Sequence, residues 1–221
     1  MGQHIDHYFD EALASLKQQI LLMGSKVEAM LADCILSLKQ RDLGLAATVV
    51  ESDHSVNALE VSIDEQCIQL LARYQPAAGD LRFITRGLKI VTDLERIGDL
   101  AVNMAQRITD ILTQGTMPID LTGMAGTVQQ LLKQSLDAFV QGDVTMAEKV
   151  LQSDDMVDDL TAQFVIQLIE IAEKEPKNFK ACFSTASIVK YLERISDHST
   201  NIAELTIFMV KGRDVRHGKP Q

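Results

Sequence analysis

Tryptophan is missing from this chain, and aromatic residues of any kind fill only 5% of its 221 positions. Sandwiches and barrels rely on aromatic and β-branched side chains to cover a pleated surface. Their scarcity, beside abundant Ala, Leu, Gln and Glu, points away from sheet and towards helix. Only four prolines interrupt the chain, so long stretches carry no helix breaker. The three cysteines, Cys34, Cys67 and Cys182, are odd in number and form no C-x-x-C pair. That excludes a disulfide framework and a zinc ribbon, and it fits a reducing compartment. No charge-free run approaches the roughly 18 residues of a spanning helix, and Met1 to Asp10 has neither the basic stretch nor the apolar core of a signal peptide. The chain reads as cytoplasmic, reaching a membrane only through a partner. Positive charge is also short. Twenty-one Lys plus Arg face 31 Asp plus Glu, and a net charge of −10 is the wrong sign for neutralising the phosphates of DNA or RNA.

What is present is a repeat. The 46% hydrophobic content suits one large domain or two small ones, and self-alignment favours two. A shift of 101 positions aligns Met23 to Leu70 with Met124 to Ile171 without a gap, matching Val27 with Val128, Gln40 with Gln141, Asp53 with Asp154 and Leu59 with Leu160. After a short deletion the shift becomes 98, and Leu94-Glu-Arg-Ile-x-Asp-x-x-x-Asn-x-Ala105 returns as Leu192-Glu-Arg-Ile-x-Asp-x-x-x-Asn-x-Ala203. Pro76 and Pro176 fall at the same point of each copy, as do Pro118 and Pro220. Since proline is excluded from helix interiors, each copy divides into three helical segments. In the first copy these run to about Arg41, from about Asp42 to Tyr74, and from about Asp80 to Gln114. Breaks at Gln141-Gly142-Asp143 and Glu175-Pro176-Lys177 delimit the same three in the second copy. Asp42, Asp143 and Asp80 are the expected N-caps. The expected fold is all-α, two tandem three-helix bundles over residues 1–118 and 119–221.

The third helix carries an apolar seam through Ile84, Leu88, Val91, Leu94, Gly98, Ala101, Ala105 and Ile108, spaced by threes and fours. Glu95, Asp99 and Asn103 share one face about 130° from that seam. Asp53, Asn57, Glu60 and Asp64 form a second stripe on the preceding helix. If the chain turns back near Pro76, Glu60 comes beside Glu95, and Asn57 to Asp53 come beside Asp99 to Asn103. Carboxylates gathered across helices repel unless a cation or a bound proton compensates, so one reading is an oxygen-ligand site for Mg, Mn, Ca or iron. The other is a solvated face held by ion pairs such as Arg96 with Asp99 and Lys89 with Asp93. In the second copy the facing stripe becomes Asp154, Asp158, Thr161 and Val165 beside Glu193, Asp197 and Asn201, with two of four ligand-type positions lost.

Weaker constellations add little. Glu51 and His54 make one Glu-x-x-His pair, but the second copy has Gln152 and Asp155 at those positions, which argues against a di-iron centre. His198 reads as a surface, metal or interface residue, and the scattered methionines as core filler. No P-loop, no G-x-S-x-G and no Ser/His/Asp set is present, and the chain does not read as an enzyme.

Four segments carry a resemblance: Leu71-Ala-Arg-Tyr-Gln-Pro-Ala-Ala-Gly-Asp-Leu-Arg82, Asp93-Leu-Glu-Arg-Ile-Gly-Asp99, Leu192-Glu-Arg-Ile-Ser-Asp-His-Ser-Thr-Asn-Ile-Ala-Glu204 and the tail Gly212-Arg-Asp-Val-Arg-His217. Together they resemble the PhoU family of phosphate-uptake regulators over almost the whole chain. The resemblance implies a cytoplasmic, usually dimeric protein that links the Pst phosphate ABC transporter, through its ATPase subunit, to the phosphate-sensing histidine kinase. Such proteins keep the kinase from switching on the phosphate regulon when phosphate is plentiful. It also implies surface metal clusters, and the family's E/D-x-x-x-D signature maps onto Glu95/Asp99 and Glu193/Asp197. The ion implied is divalent or trivalent (Mn, Mg, Fe or Zn) and not obligatory. The glycine usual in the second motif is Ser196 here, which should loosen a close helix contact. The alternative function is a helical metal-binding or metal-storage protein.

Overall fold

The computed structural model describes residues 2–115 and 117–212. The tail motif beyond Gly212, and Pro220, lie outside the described residues. Among the described residues every regular element is helical. The first copy comprises α1 (Gly2–Gln40), α2 (Leu43–Tyr74) and α3 (Ala78–Gln114). The second comprises α4 (Thr122–Gln141), α5 (Val144–Gln152), α6 (Asp154–Lys174) and α7 (Phe179–Lys211), with a 3₁₀ turn at Pro176–Asn178.

Local chemistry sets the boundaries. Asp42 caps α2, its carboxylate accepting from the amides of Gly44 and Leu45, and Asp143 caps α5 by accepting from Met146. Asp80 does not cap. The N-cap of α3 is Ala77, and Asp80 sits in the first turn, where a negative charge still complements the exposed amides. Each first helix ends in a left-handed residue, Arg41 (φ 56°) in the first copy and Gly142 (φ 64°) at the matching position of the second.

Two features depart from the expected pair of matched three-helix units. The middle segment of the second copy is two helices, interrupted at Ser153, whose amide bonds back to the Val150 carbonyl three residues earlier. Asp154 and Asp155 then occupy the first turn of α6. In addition, α1 is far longer than α4, and in the 101-residue register its residues 2–20 have no counterpart. This extension lies along α2. Gln66 donates to the Ala12 carbonyl at 3.1 Å, and the rings of Phe9 and Tyr74 stand 5.1 Å apart.

The core runs through both copies. The predicted α3 seam is buried apart from partly covered Leu88, but Ile90, Ile97, Leu100, Met104 and Ile111 are buried as well. A helix apolar on two faces must be covered on two sides. α3 packs on α1 and α2 with one side and on α7 with the other, and the α3–α7 pairing is the most extensive in the molecule. Asp93 meets His198 while Arg86 lies over the Phe208 ring at 3.8 Å, so the two helices run antiparallel. The Glu-Arg-Ile-x-Asp segments therefore pass each other near the middle of the molecule, each with its carboxylates turned towards the helix preceding it.

Candidate functional site

In the first copy the turn at Pro76 returns α3 along α2 in the expected offset. Burial raises the pKa of Glu95, and the Asp99 carboxylate raises it further, Arg96 opposing and Glu60 adding to the effect. Glu60 is likewise raised by burial, then by Asp64, with Arg96 opposing and Asp99 adding. Glu60, Asp64, Glu95 and Asp99 thus share one electrostatic environment. Asp53 lies beside Gly98 of the same stretch of α3. A Cβ placed on Gly98 would stand 3.5 Å from Val56 Cγ1 and 4.0 Å from Asp53 Oδ1, so glycine admits α2 close to α3 here. Asn57 donates to Asp53 Oδ2 at 2.9 Å. Asn103 is exposed on the same helix as Glu95 and Asp99.

The ion-pair reading has partial support in Arg96, whose guanidinium lies 3.4 Å from Glu95 Oε2 and 3.4 Å from Asp99 Oδ2. Arg96 is 55% exposed, which makes the pairs weak. Lys89 is not the partner of Asp93. That carboxylate instead takes His198 Nδ1 at 2.8 Å and the Asn201 amide at 3.2 Å. Asn201, expected beside the second carboxylate pair, is thereby committed to the α3–α7 junction. His198 is an interface residue.

The second copy groups four carboxylates despite its lost ligands. Burial raises the pKa of Asp197, with Asp154, Glu193 and Asp158 adding and His198 opposing. Burial raises Asp154 as well; the bond from Ser196 opposes, while Asp158, Asp155 and Glu193 add. Lys190 pairs with Glu193. Ser196 does more than replace a glycine. Its hydroxyl donates to Asp154 Oδ1 at 3.1 Å, across α7 to α6. Thr161, at the position of Glu60, is buried with its hydroxyl unpartnered.

Two oxygens of the first site, Asp53 Oδ1 and Glu95 Oε2, are shielded from solvent and accept no hydrogen bond among the described residues. Glu95 Oε2 is compensated by the Arg96 guanidinium at 3.4 Å, which leaves Asp53 Oδ1 as the unpartnered oxygen that would suit a hard, oxygen-seeking cation. Among the described residues no three His, Cys, Asp or Glu side chains stand in coordinating geometry, so ion binding requires the carboxylates to rotate on their helices. Glu51 and His54 are both exposed on α2. Burial pushes the Cys34 and Cys67 thiols up to about 12, leaving them unreactive core groups.

This duplicated arrangement has close relatives. The family model described as the PhoU domain matches twice, over residues 20–108 and 121–206. The phosphate-specific transport system accessory protein PhoU homolog of Pseudomonas putida is 37% identical over 220 residues, covering 98% of this chain and 86% of that protein. The accessory protein PhoU of Escherichia coli (strain K12) is 33% identical over 219 residues, covering 98% and 91%. The crystal structure of PhoU from Pseudomonas aeruginosa superposes with a TM-score of 0.91 at 36% identity, covering 93% of this chain and 100% of that one. That of the phosphate transport system regulatory protein PhoU from Streptococcus pneumoniae does so at 0.84 and 26%, covering 94% and 99%. By full-length sequence match and by fold, the chain belongs to the PhoU family.

Proposed function

We propose that this protein is a cytoplasmic regulatory adaptor of phosphate uptake, which couples the ATPase subunit of a Pst-type phosphate transporter to a phosphate-sensing histidine kinase and restrains the kinase when phosphate is abundant. The observation that carries this reading is the match over nearly the whole chain to proteins named as phosphate transport accessory proteins, both copies included. An acidic surface with a net charge of −10 favours protein partners over nucleic acid. No described helix is long and apolar enough to cross a membrane. In this reading contact with the transporter runs through its ATPase subunit. The protein acts as a homodimer and without turnover of its own. Deleting its gene should derepress a phosphate-responsive reporter in high phosphate, and the tagged protein should bring down the kinase or the ATPase subunit. A reporter that stays silent in the deletion strain would refute the adaptor reading.

The carboxylate rows support a second function within the first. Glu60, Asp64, Glu95 and Asp99, with Asp53 behind them, would hold a divalent or trivalent cation, and Asp154, Asp158, Glu193 and Asp197 would form the second site. The cation would neutralise the gathered charge and draw α2 to α3 and α6 to α7. If metal storage were the main role, deletion would disturb metal homeostasis and leave the phosphate reporter unchanged.

A further inference from the structure

The acidic row of the second copy is one end of a longer groove between α6 and α7. On α7, Phe179, Phe183, Ala186, Lys190, Glu193 and Asp197 recur by threes and fours and so form one stripe about 27 Å long. On α6 the facing stripe runs from Ala172, Ile169 and Val165, near the Pro176 turn, to Thr161, Asp158 and Asp154. The end near the turn is apolar. Val165, Ile169, Ala172, Phe179, Phe183 and Ala186 help to line an open recess of about 160 Å³, smaller than a small-molecule pocket and suited to single side chains. Phe179 and Phe183 are 62% and 61% exposed, and Ile169 is 53% exposed. In the first copy the positions of the two phenylalanines hold Leu81 and Thr85, and Asp64 stands where the second copy has Val165. The aromatic walls are therefore a feature of the second copy.

We infer that the α6–α7 groove is the docking site for an amphipathic helix of a partner protein, apolar at one end and rich in Lys or Arg at the other. Covering Phe179 and Phe183 supplies affinity, since aromatic side chains seated in a recess dominate such contacts. The row of Asp154, Asp158, Glu193 and Asp197 sets the charge of the occupant, and the single cation among them, Lys190, is already paired with Glu193. A seam between two packed helices is also the ridged surface into which a third helix fits. The same charge repels a bilayer of anionic lipid, and a second copy of a chain with net charge −10 is a poor match for it. The inference rests on the adaptor reading, which requires a partner, and adds the chemistry by which one is held.

The test is fluorescence polarisation of the full-length protein with a labelled helical peptide, carrying Leu and Phe on one face of its first two turns and Lys on the same face of the next two. The peptide should bind saturably, and more weakly as sodium chloride rises from about 50 to 500 mM. The same peptide with Glu for each Lys should not bind, an arm that needs no variant to fold. Phe179→Ala combined with Phe183→Ala removes exposed rings and should weaken binding about tenfold or more. Glu193→Gln combined with Asp197→Asn should weaken it and flatten the salt dependence. Absence of binding to the wild type, equal binding of both peptides, or binding indifferent to the phenylalanines would overturn the inference. Two other results would assign the groove to a different occupant and overturn it as well: loss of a homodimer in the Phe179, Phe183 variant by light scattering, or flotation with phosphatidylglycerol vesicles that depends on those rings. A phosphate reporter that stays silent on deletion while the peptide still binds would sink the adaptor reading alone; a derepressed reporter without peptide binding would sink only the groove.

Discussion

At the residue scale, the raised carboxylates give the metal-free protein a pH signature. Glu95 and Glu60 rise from 4.5, Asp154 and Asp197 from 3.8, each chiefly because burial disfavours the ionised form. A folded-state pKa above the unfolded one means the native state holds its proton more tightly. The stabilisation is complete below the unfolded value and is lost as pH rises through the folded one. Glu95→Gln carries no such dependence at that position. Its stability relative to wild type should therefore climb as pH rises from about 4 towards neutrality, in urea denaturation with chelator present. A difference that is flat with pH would show that Glu95 ionises as freely in the fold as in water. Caps are a second residue-scale matter. Asp42→Ala removes the acceptor for two amides and should cost about 1 kcal/mol, whereas Asp80→Ala, which removes only a first-turn charge, should cost about 0.5 kcal/mol or less. Paired urea curves would rank them.

At the scale of elements, the Asp93 cluster joins the two copies. Its carboxylate accepts from His198 and Asn201 across the α3–α7 seam, and the Asp93 and His198 side chains are only 15% and 18% exposed. Asp93→Ala leaves the part-buried His198 ring without its acceptor, while the exposed Asn201 amide turns to water, and should cost about 1–3 kcal/mol, more than Asn201→Ala. A double-mutant cycle between Asp93 and His198, read by denaturation, should show coupling, and additive losses would mean that the bond contributes nothing net. The interruption at Ser153 belongs to this scale too. In the first copy the matching Ser52 bonds to the Thr48 carbonyl inside a continuous helix, and in the second Ser153 makes the same bond to Lys149 where the helix breaks. The two serines share a hydrogen bond and differ in outcome, so the serine itself is not what breaks the helix.

At the scale of the whole molecule, the copies are divided in sequence but joined in the core. α3 and α7 pack extensively on each other, and Ile90, Ile97, Leu100 and Met104 of α3, like Ile195 and Ile202 of α7, are buried. Segments 1–118 and 119–221, expressed separately, would each expose that seam, and an apolar face of this kind drives association or aggregation. Each half alone should melt without a cooperative transition, and mixing the two should restore a one-to-one complex with the circular dichroism and melting behaviour of the intact chain. Independent cooperative melting of either half would show that the seam is dispensable.

The gapless repeat, the paired prolines and the three-and-four spacing of apolar residues made the helical class, the duplication and the acidic stripes legible, because each is a local or periodic property of one chain segment. The offset of Glu60 against Glu95 was legible too, since a tight turn at a known proline sets how far two helices slide. What depended on tertiary structure were quantities that local spacing does not encode. The rotation of α3 decided that it is buried on two sides. The crossing with α7 decided that Asp93 meets His198 and Asn201 instead of Lys89. The distance between α6 and α7 decided that the Ser196 hydroxyl bonds to Asp154 where a loosened contact was expected. A helix's own periodicity states which residues share a face; the residues that face meets are set by how whole helices pack, through side chains distant in the chain.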